Sequence, residues 1–334
     1  MSLKVISVGP ACTVQDQGRT GCLDRGLSRS GAADLLALHE GAALLGQNPE
    51  VAAIEMAGMG GVFEATADLF FALTGAKMQA SVDGDPIAWN ASHRLEAGQK
   101  LTIGAVLQGN YGYLHVQGGI ATEPVLGSRA SHLTAGLGRT LAAGDTLPMG
   151  PQTDVVSRKI TAADRFSGGT LRAVKSFQTS LFDPDTLMRF EQTPFRRGAR
   201  ANRMGMQLDS DGPGFAASGQ LNILSEVISP GDIQMTGAGA PFILLNEHQT
   251  TGGYPRIATI VPCDLPRAAQ TPAQEPMRIQ FVTLDKAVEL HAAFKAELTR
   301  LPSCVEPLVR DPRDIPDLLS YQLISGVVSA VNGE

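Results

Sequence analysis

The sequence predicts a mainly β protein with a few helices, arranged as two β-rich lobes. Three observations lead there. Glycine is abundant, at 37 of 334 residues, and with 20 prolines it demands tight turns and weakens helix interiors. Short apolar runs follow one another closely, separated by turn signals such as Asp83-Gly84-Asp85-Pro86 and Gly118-Gly119. The same strand-and-turn texture recurs on both sides of a polar stretch, Gly150 to Gly169. Many short strands so spaced suggest a barrel or sandwich, not alternating βαβ units. The expected division is an amino-terminal lobe with one helix over 1–155, a second lobe over 170–300, and an arm over 301–334.

In chain order, Lys4 to Val8 reads as a strand, followed by a glycine-punctuated loop from Gly9 to Gly31. Asp34 then lies at a helix start, where a carboxylate suits the positive end of the dipole. Leu35, Leu36, Leu38, Ala42, Ala43 and Leu45 form that helix's apolar face, and Gly46 suits its C-cap. Gly61 to Ala65, Leu69 to Thr74, Lys100 to Ile103 and Tyr111 to Val116 read as short strands. Past the polar stretch come the strand Leu171 to Val174 and a helix around Pro184 to Phe190. Further strands are Ile223 to Leu224, Gly231 to Met235, Phe242 to Leu245, Ile257 to Val261 and Met277 to Val282. Asp285 opens an amphipathic helix with Val288, Leu290, Phe294 and Leu298 on one side, and Asp314 to Val331 packs back as a short helix or arm.

Composition excludes several classes. Hydrophobic residues at 43% and charged residues at 18% allow real cores, so the chain is not disordered. The net charge of -6 argues against a nucleic-acid binder. The only dense basic cluster is Arg196, Arg197, Arg200 and Arg203, either a solvated loop or an anion contact at a cleft edge. Cys12, Cys22, Cys263 and Cys304 show no C-x-x-C spacing, so no metal is expected. Neither an apolar leader nor a membrane-length run is present, and a reduced cytoplasmic protein is the expectation.

Two polar constellations could carry chemistry. His248-Gln249-Thr250-Thr251-Gly252-Gly253-Tyr254-Pro255-Arg256 is framed by apolar strands, and its glycines let a ligand approach the backbone. Gln249, Thr250 and Thr251 offer donors and acceptors that suit an amide or ureido group, although a self-satisfied hairpin loop has the same look. His248 could act as acid or base, or be structural. The second constellation joins Gln15, Asp16, Arg19 and Ser30. Asp16 and Arg19 are close enough to pair, and Ser30-Gly31 precedes a helix start where N–H groups can hold an anion. Asp264 could face the same cleft and manage a proton, or simply occupy a turn.

Other motifs fail. No G-x-x-x-x-G-K-[ST] is present, so ATP use would not involve a P-loop in this chain. Gly58, Gly60 and Gly61 do not fit G-x-G-x-x-G, and Ala76-Lys77-Met78 lacks the preceding methionine of a biotin-attachment site. No G-x-S-x-G or serine–lysine signature appears, which argues against a self-contained hydrolase.

Taken together, ordered motifs over about residues 5 to 282 carry a resemblance. They include Thr13-Val14-Gln15-Asp16-x-Gly18-Arg19-x-Gly21, Ser30-Gly31-Ala32-Ala33-Asp34 and Leu126-Gly127-Ser128-Arg129. Gly138-Arg139-x-Leu141-x-x-Gly144-Asp145, Asn202-Arg203-Met204-Gly205 and Gly231-x-Ile233-Gln234 follow, and Gln249-Thr250-Thr251-Gly252-Gly253-Tyr254-Pro255 closes the series. The chain closely resembles the allophanate hydrolase subunit 2 family, also called the Kip antagonist or biotin-dependent carboxyltransferase family.

That resemblance implies a cyclophilin-like β-barrel with polar loops around one cleft. It also implies work beside a sister subunit (allophanate hydrolase subunit 1 or Kip inhibitor-like) and a third, LamB/YcsF-like subunit. Similar stand-alone chains are subunits of ATP-dependent 5-oxoprolinase, which opens pyroglutamate to glutamate. In urea carboxylase a similar region transfers carboxyl from carboxybiotin to urea, so a carboxyltransferase subunit would need carboxybiotin in trans. A third similar chain is a non-catalytic regulator. The favoured expectation is a 5-oxoprolinase-type subunit, with ATP bound in the complex. His248 and Asp264 would manage the proton. Gln15, Asp16, Arg19, Ser30, Arg203, Gln234, Gln249, Thr250, Thr251, Gly252, Gly253 and Tyr254 would line the substrate. Two departures stand out: Glu247-His248 where the family often reads Asp-Arg, and Ala33 where it usually has Met.

Overall fold

The computed structural model describes residues 1–153, 155–217 and 223–309. The expected helix or arm at Asp314 to Val331 lies outside the described residues. The described chain is mainly β, with two large sheets and four α-helices. The first sheet has 11 strands and the second has seven.

From one edge, the larger sheet runs Glu306–Pro307, Arg158–Lys159, Ala91–Leu95, Leu69–Val82, Lys100–Val116, Gly61–Ala65, Ser2–Val8 and Thr146–Pro148. Cys12–Gln15 pairs with Ala53–Ala57, which pairs in turn with Lys100–Val116. Two expected short strands, Lys100 to Ile103 and Tyr111 to Val116, are one 17-residue strand. The glycines between them bend the strand without ending it. Register shifts against Gly75–Ala80 absorb the extra residues, and Gly109 takes φ +97, in the left-handed region that only glycine enters easily. The expected loop from Gly9 to Gly31 likewise contains the strand Cys12–Gln15, whose four residues are all buried.

Helix α1 (Leu35–Leu45) starts and stops where its caps dictate. The Asp34 carboxylate accepts from Ala37 N, and Gly46 closes the helix at φ 64. It packs on the large sheet at Gly41, where an added Cβ would collide with the His115 ring. His115 is fully buried as the neutral imidazole, its pKa pushed down to about 3 by burial, with Nε2 against Thr74 Oγ1 at 2.8 Å.

The smaller sheet runs Arg196–Ala201, Gly205–Asp209, Pro241–Leu244, Asp232–Met235, Arg256–Ile260, Gly169–Val174 and Met277–Phe281. Helix α2 (Pro184–Gln192) places Phe190 against Phe195 and Phe215, with ring centroids 5.1 and 5.3 Å apart. The basic cluster at 196–203 is not a solvated loop. It is a strand of a hairpin with Asn202–Met204 in its turn and a register shift between Arg197 and Ala201, in which Arg197 is half-buried while Arg196 and Arg200 stay exposed. Ile223 and Leu224 form no strand.

Helix α3 (Leu265–Gln270), unanticipated, carries the seam between the sheets. Its Gln270 accepts from the backbone N–H of both Asn110 and Tyr111 at 3.0 Å, and donates to Asp34 Oδ2 and Tyr111 O at 2.8 Å. Beside it Arg165 bridges Asp34 and Glu40 of α1, all three nearly inaccessible. Helix α4 (Leu284–Arg300), capped by Thr283, buries Ala287 and Phe294. Val288, expected on its apolar side, is exposed. Among the described residues no helix is long and apolar enough to cross a membrane.

Candidate functional site in the cleft between the sheets

A cavity of about 400 Å³ opens between the two sheets. The first half of the chain contributes Thr13, Asn110, Tyr111, Leu133 and Thr134 to its wall, and the second half Arg197, Asn202, Arg203, Met204 and Glu247. At its floor Arg203 ties the halves together. Its guanidinium pairs with Glu55 and, at 2.5 Å, with Glu247, and donates to Gly31 O at 2.6 Å and Ser30 Oγ at 3.2 Å. Burial alone would lower the pKa of Arg203, but Glu55 and Glu247 reverse that and raise it, so it stays a cation.

Both carboxylates are held on further sides. Glu55 accepts from Tyr113 Oη at 2.6 Å and Ala33 N at 2.8 Å. Glu247 accepts from Leu133 N at 3.1 Å. Burying three charges is tolerable only when each finds partners, and here each does.

Ser28, His132 and Glu247 fall in the order of a nucleophilic triad, with Ser28 Oγ 2.9 Å from His132 Nε2 and His132 Nδ1 3.8 Å from Glu247. The resemblance is superficial. Ala135 N donates to Nδ1, so the ring proton sits on Nε2 and Ser28 accepts it. A histidine in that state cannot take a proton from the serine.

Residues 25–282 match the model of the carboxyltransferase domain, subdomain A and B. The chain belongs to that carboxyltransferase domain family. A 5-oxoprolinase subunit of Escherichia coli (strain K12) is 34% identical over 291 residues, which is 86% of this chain and 93% of the relative. The corresponding 5-oxoprolinase subunit of Haemophilus influenzae is 30% identical, covering 91% of this chain and 99% of the relative. The crystal structure of TTHA0988 matches with a TM-score of 0.75 at 30% identity, over 84% of this chain. The present chain spans only 55% of that longer one. The K. lactis urea amidolyase shares the fold, with a TM-score of 0.81 at 22% identity, over 93% of this chain and 21% of that one.

Within this carboxyltransferase-family fold, the residues singled out from sequence separate into groups. Ser30 and Arg203 meet Glu247 at the cleft floor. Gln15, Asp16 and Arg19 sit behind it and are structural in their contacts. Gln15 donates to Thr13 Oγ1 and Ser131 O, and Asp16 accepts from Gly18 N, Ser128 Oγ and Arg129 N. Arg19 donates to Ala130 O at 2.5 Å. Asp16 and Arg19, expected to pair with each other, both grip the Val125–Ala130 segment instead.

The Gln249–Tyr254 loop does not line this cavity. Thr251–Gly252 pairs with Glu226–Val227, Thr250 O accepts from Ile228 N, Gly252 and Gly253 lie against that ribbon, and Tyr254 is half exposed. Gln234 is buried behind Gly252, its Nε2 without a partner among the described residues. His248 is buried with Nδ1 against Gln249 O, and burial lowers its pKa. Asp264 lies in another cavity, of about 420 Å³, where it accepts from Arg172 Nε and N at 2.7 Å.

Sequence reasoning passed over Glu55, Tyr111, Tyr113 and Glu247 as cleft residues. Glu55 had a usable signal: a lone carboxylate inside the apolar run Ala53-Ile54-Glu55-Met56-Ala57 must find a cation elsewhere.

Proposed function

We propose that this chain is a subunit of an ATP-dependent complex that opens a cyclic amide, with 5-oxoproline as substrate. The observation that carries this is 34% identity to a 5-oxoprolinase subunit across 93% of that relative. The cleft is consistent with it. A space of about 400 Å³ suits a small lactam, and its wall mixes apolar Ala57, Leu133 and Met204 with hydrogen-bonding Tyr111, Asn110 and Asn202. Water adds across the C–N bond of the ring, giving a free amine and a carboxylate, while ATP is hydrolysed elsewhere in the assembly.

In this scheme Arg203 holds the cleft's shape, since Glu55, Glu247, Ser30 and Gly31 already occupy its donors. The sister subunit completes the site, as does a third, LamB/YcsF-like subunit, and the complex is cytoplasmic. The loop at Gln249–Tyr254 does not line the cleft, and its exposed Gln249 and Tyr254 are assigned to contact with the sister subunit, while the buried His248 supports the loop from within.

The test is co-expression with the partner subunits, followed by measurement of 5-oxoproline-dependent release of ADP and glutamate. Robust glutamate release that needs this chain supports the assignment. Urea-dependent, avidin-sensitive ATP hydrolysis without 5-oxoproline turnover would replace it with carboxyl transfer from carboxybiotin.

A further inference from the structure

The cleft contains two arginines in different electrostatic states. Arg203 is neutralised by two carboxylates. Arg197 also lines the cavity, yet among the described residues it makes no ion pair. Its Nη1 donates to Ala269 O at 3.2 Å and lies 3.4 Å from Met206 Sδ, and Tyr111 lines the same cavity, where burial raises its hydroxyl's pKa and the Arg197 charge opposes that rise. Those contacts aim the guanidinium without cancelling its charge. The strand places it there: in the Arg196–Ala201 strand Arg197 pairs with Leu208, and its neighbours Arg196 and Arg200 point to solvent.

An unneutralised, oriented guanidinium in a half-enclosed cavity is a carboxylate receptor. Its planar fork matches a carboxylate with two parallel N–H···O bonds, which are stronger than neutral ones. The Tyr111 hydroxyl beside it supplies a further donor, and Asn202, whose Oδ1 already accepts from Met204 N at 2.8 Å, has its amide N–H groups to offer. We propose that Arg197, with Tyr111, is the specificity-determining residue that reads a carboxylate on the substrate. The ligand class is therefore a small anionic amide or lactam, not neutral urea. This rests on the cyclic-amide assignment above and sharpens it, since 5-oxoproline carries a carboxylate on the carbon next to its ring nitrogen.

The experiment compares 5-oxoproline with 2-pyrrolidinone, the same ring without the carboxylate, using the assembled complex. Arg197→Met should raise KM for 5-oxoproline about ten- to hundredfold, the worth of a hydrogen-bonded charge contact. Binding of 2-pyrrolidinone should stay at its wild-type level, and Arg197→Lys should recover part of the discrimination. Equal rises for both ligands, or none, overturn the proposal. Should Arg197→Met fail to assemble, Arg197→Lys decides alone: loss of the fork must weaken the acid and spare the neutral ring. Should the wild-type complex turn over no 5-oxoproline, the activity assignment falls. Equilibrium binding of the two ligands then still judges Arg197, because an acid preference that the variant loses supports it and its absence refutes it.

Discussion

Replacing Arg165 with methionine should strand two carboxylates, Asp34 at the N-cap of α1 and Glu40 in its middle. The wild-type guanidinium donates from Nε to Asp34 Oδ2 at 2.6 Å, and from Nη1 and Nη2 to Glu40 at 2.9 and 2.6 Å. Side-chain exposure is 3% for Arg165, 0% for Asp34 and 2% for Glu40, so water cannot replace the lost partner. Breaking such a buried pair costs about 3–5 kcal/mol. With a urea slope of about 3 kcal/mol per M, the unfolding midpoint should fall by about 1–1.7 M. Glu40 also gives the loss a pH signature. Burial already raises its pKa against the pull of Arg165, and removing the arginine raises it further. A carboxyl whose folded pKa lies above its unfolded value stabilises the fold below the unfolded pKa and loses that contribution as pH rises through the folded pKa. Arg165→Met should therefore be relatively more stable at pH 5 than at pH 8, and adding Glu40→Gln should remove most of that slope. Urea titrations followed by circular dichroism at both pH values read this directly. A midpoint shift below about 0.3 M, or a pH slope untouched by Glu40→Gln, would refute the stranded-charge account.

Three further outcomes are expected. His115, depressed to about 3 by burial, contributes stability that is complete above its unfolded pKa of 6.5 and is lost as pH falls toward 3; His115→Gln should flatten thermal unfolding midpoints over that window. Gly41→Ala should destabilise by about 1–3 kcal/mol in spite of alanine's better helix propensity, because the new methyl meets the His115 ring; a rise in the midpoint would contradict the packing described. Asp264→Asn should lower stability while leaving turnover per folded complex near wild type, since its carboxylate is engaged by Arg172 in a separate cavity; a hundredfold loss of kcat with an unchanged melting temperature would return it to the chemistry.

Local signals were legible in the sequence wherever the cause was local. Asp34 and Gly46 bracket α1 because a cap acts within one turn, and Gly61–Ala65 alternates within its own five residues. The expected breaks around Gly104 and Gly109 failed because a long strand can carry glycines at bulges when its neighbour bends with it, and that neighbour, Leu69–Val82, is distant in sequence. The cleft was half legible. Ser30 and Arg203 stood out as motif residues, but Glu55 and Glu247 lie in opposite halves of the chain and become partners only when Arg203 closes the gap between sheets. The Gln249–Tyr254 loop drew attention through its polar side chains, yet its pairing with Glu226–Val227 depends on a ribbon no local pattern announces.

The grip of Gln270 on the backbone of Asn110 and Tyr111 has a mechanical consequence. Both N–H groups belong to the long central strand, and Asn110 Nδ2 returns the contact to Ala269 O and Thr271 O. Tyr111, which forms the cleft wall, is thus clamped at its main chain by the opposite half of the molecule. The two halves cannot hinge apart there without severing five bonds at once. A substrate arriving at such a rigid mouth meets a shape settled during folding, and the ordering entropy that binding usually costs has been lost before it arrives.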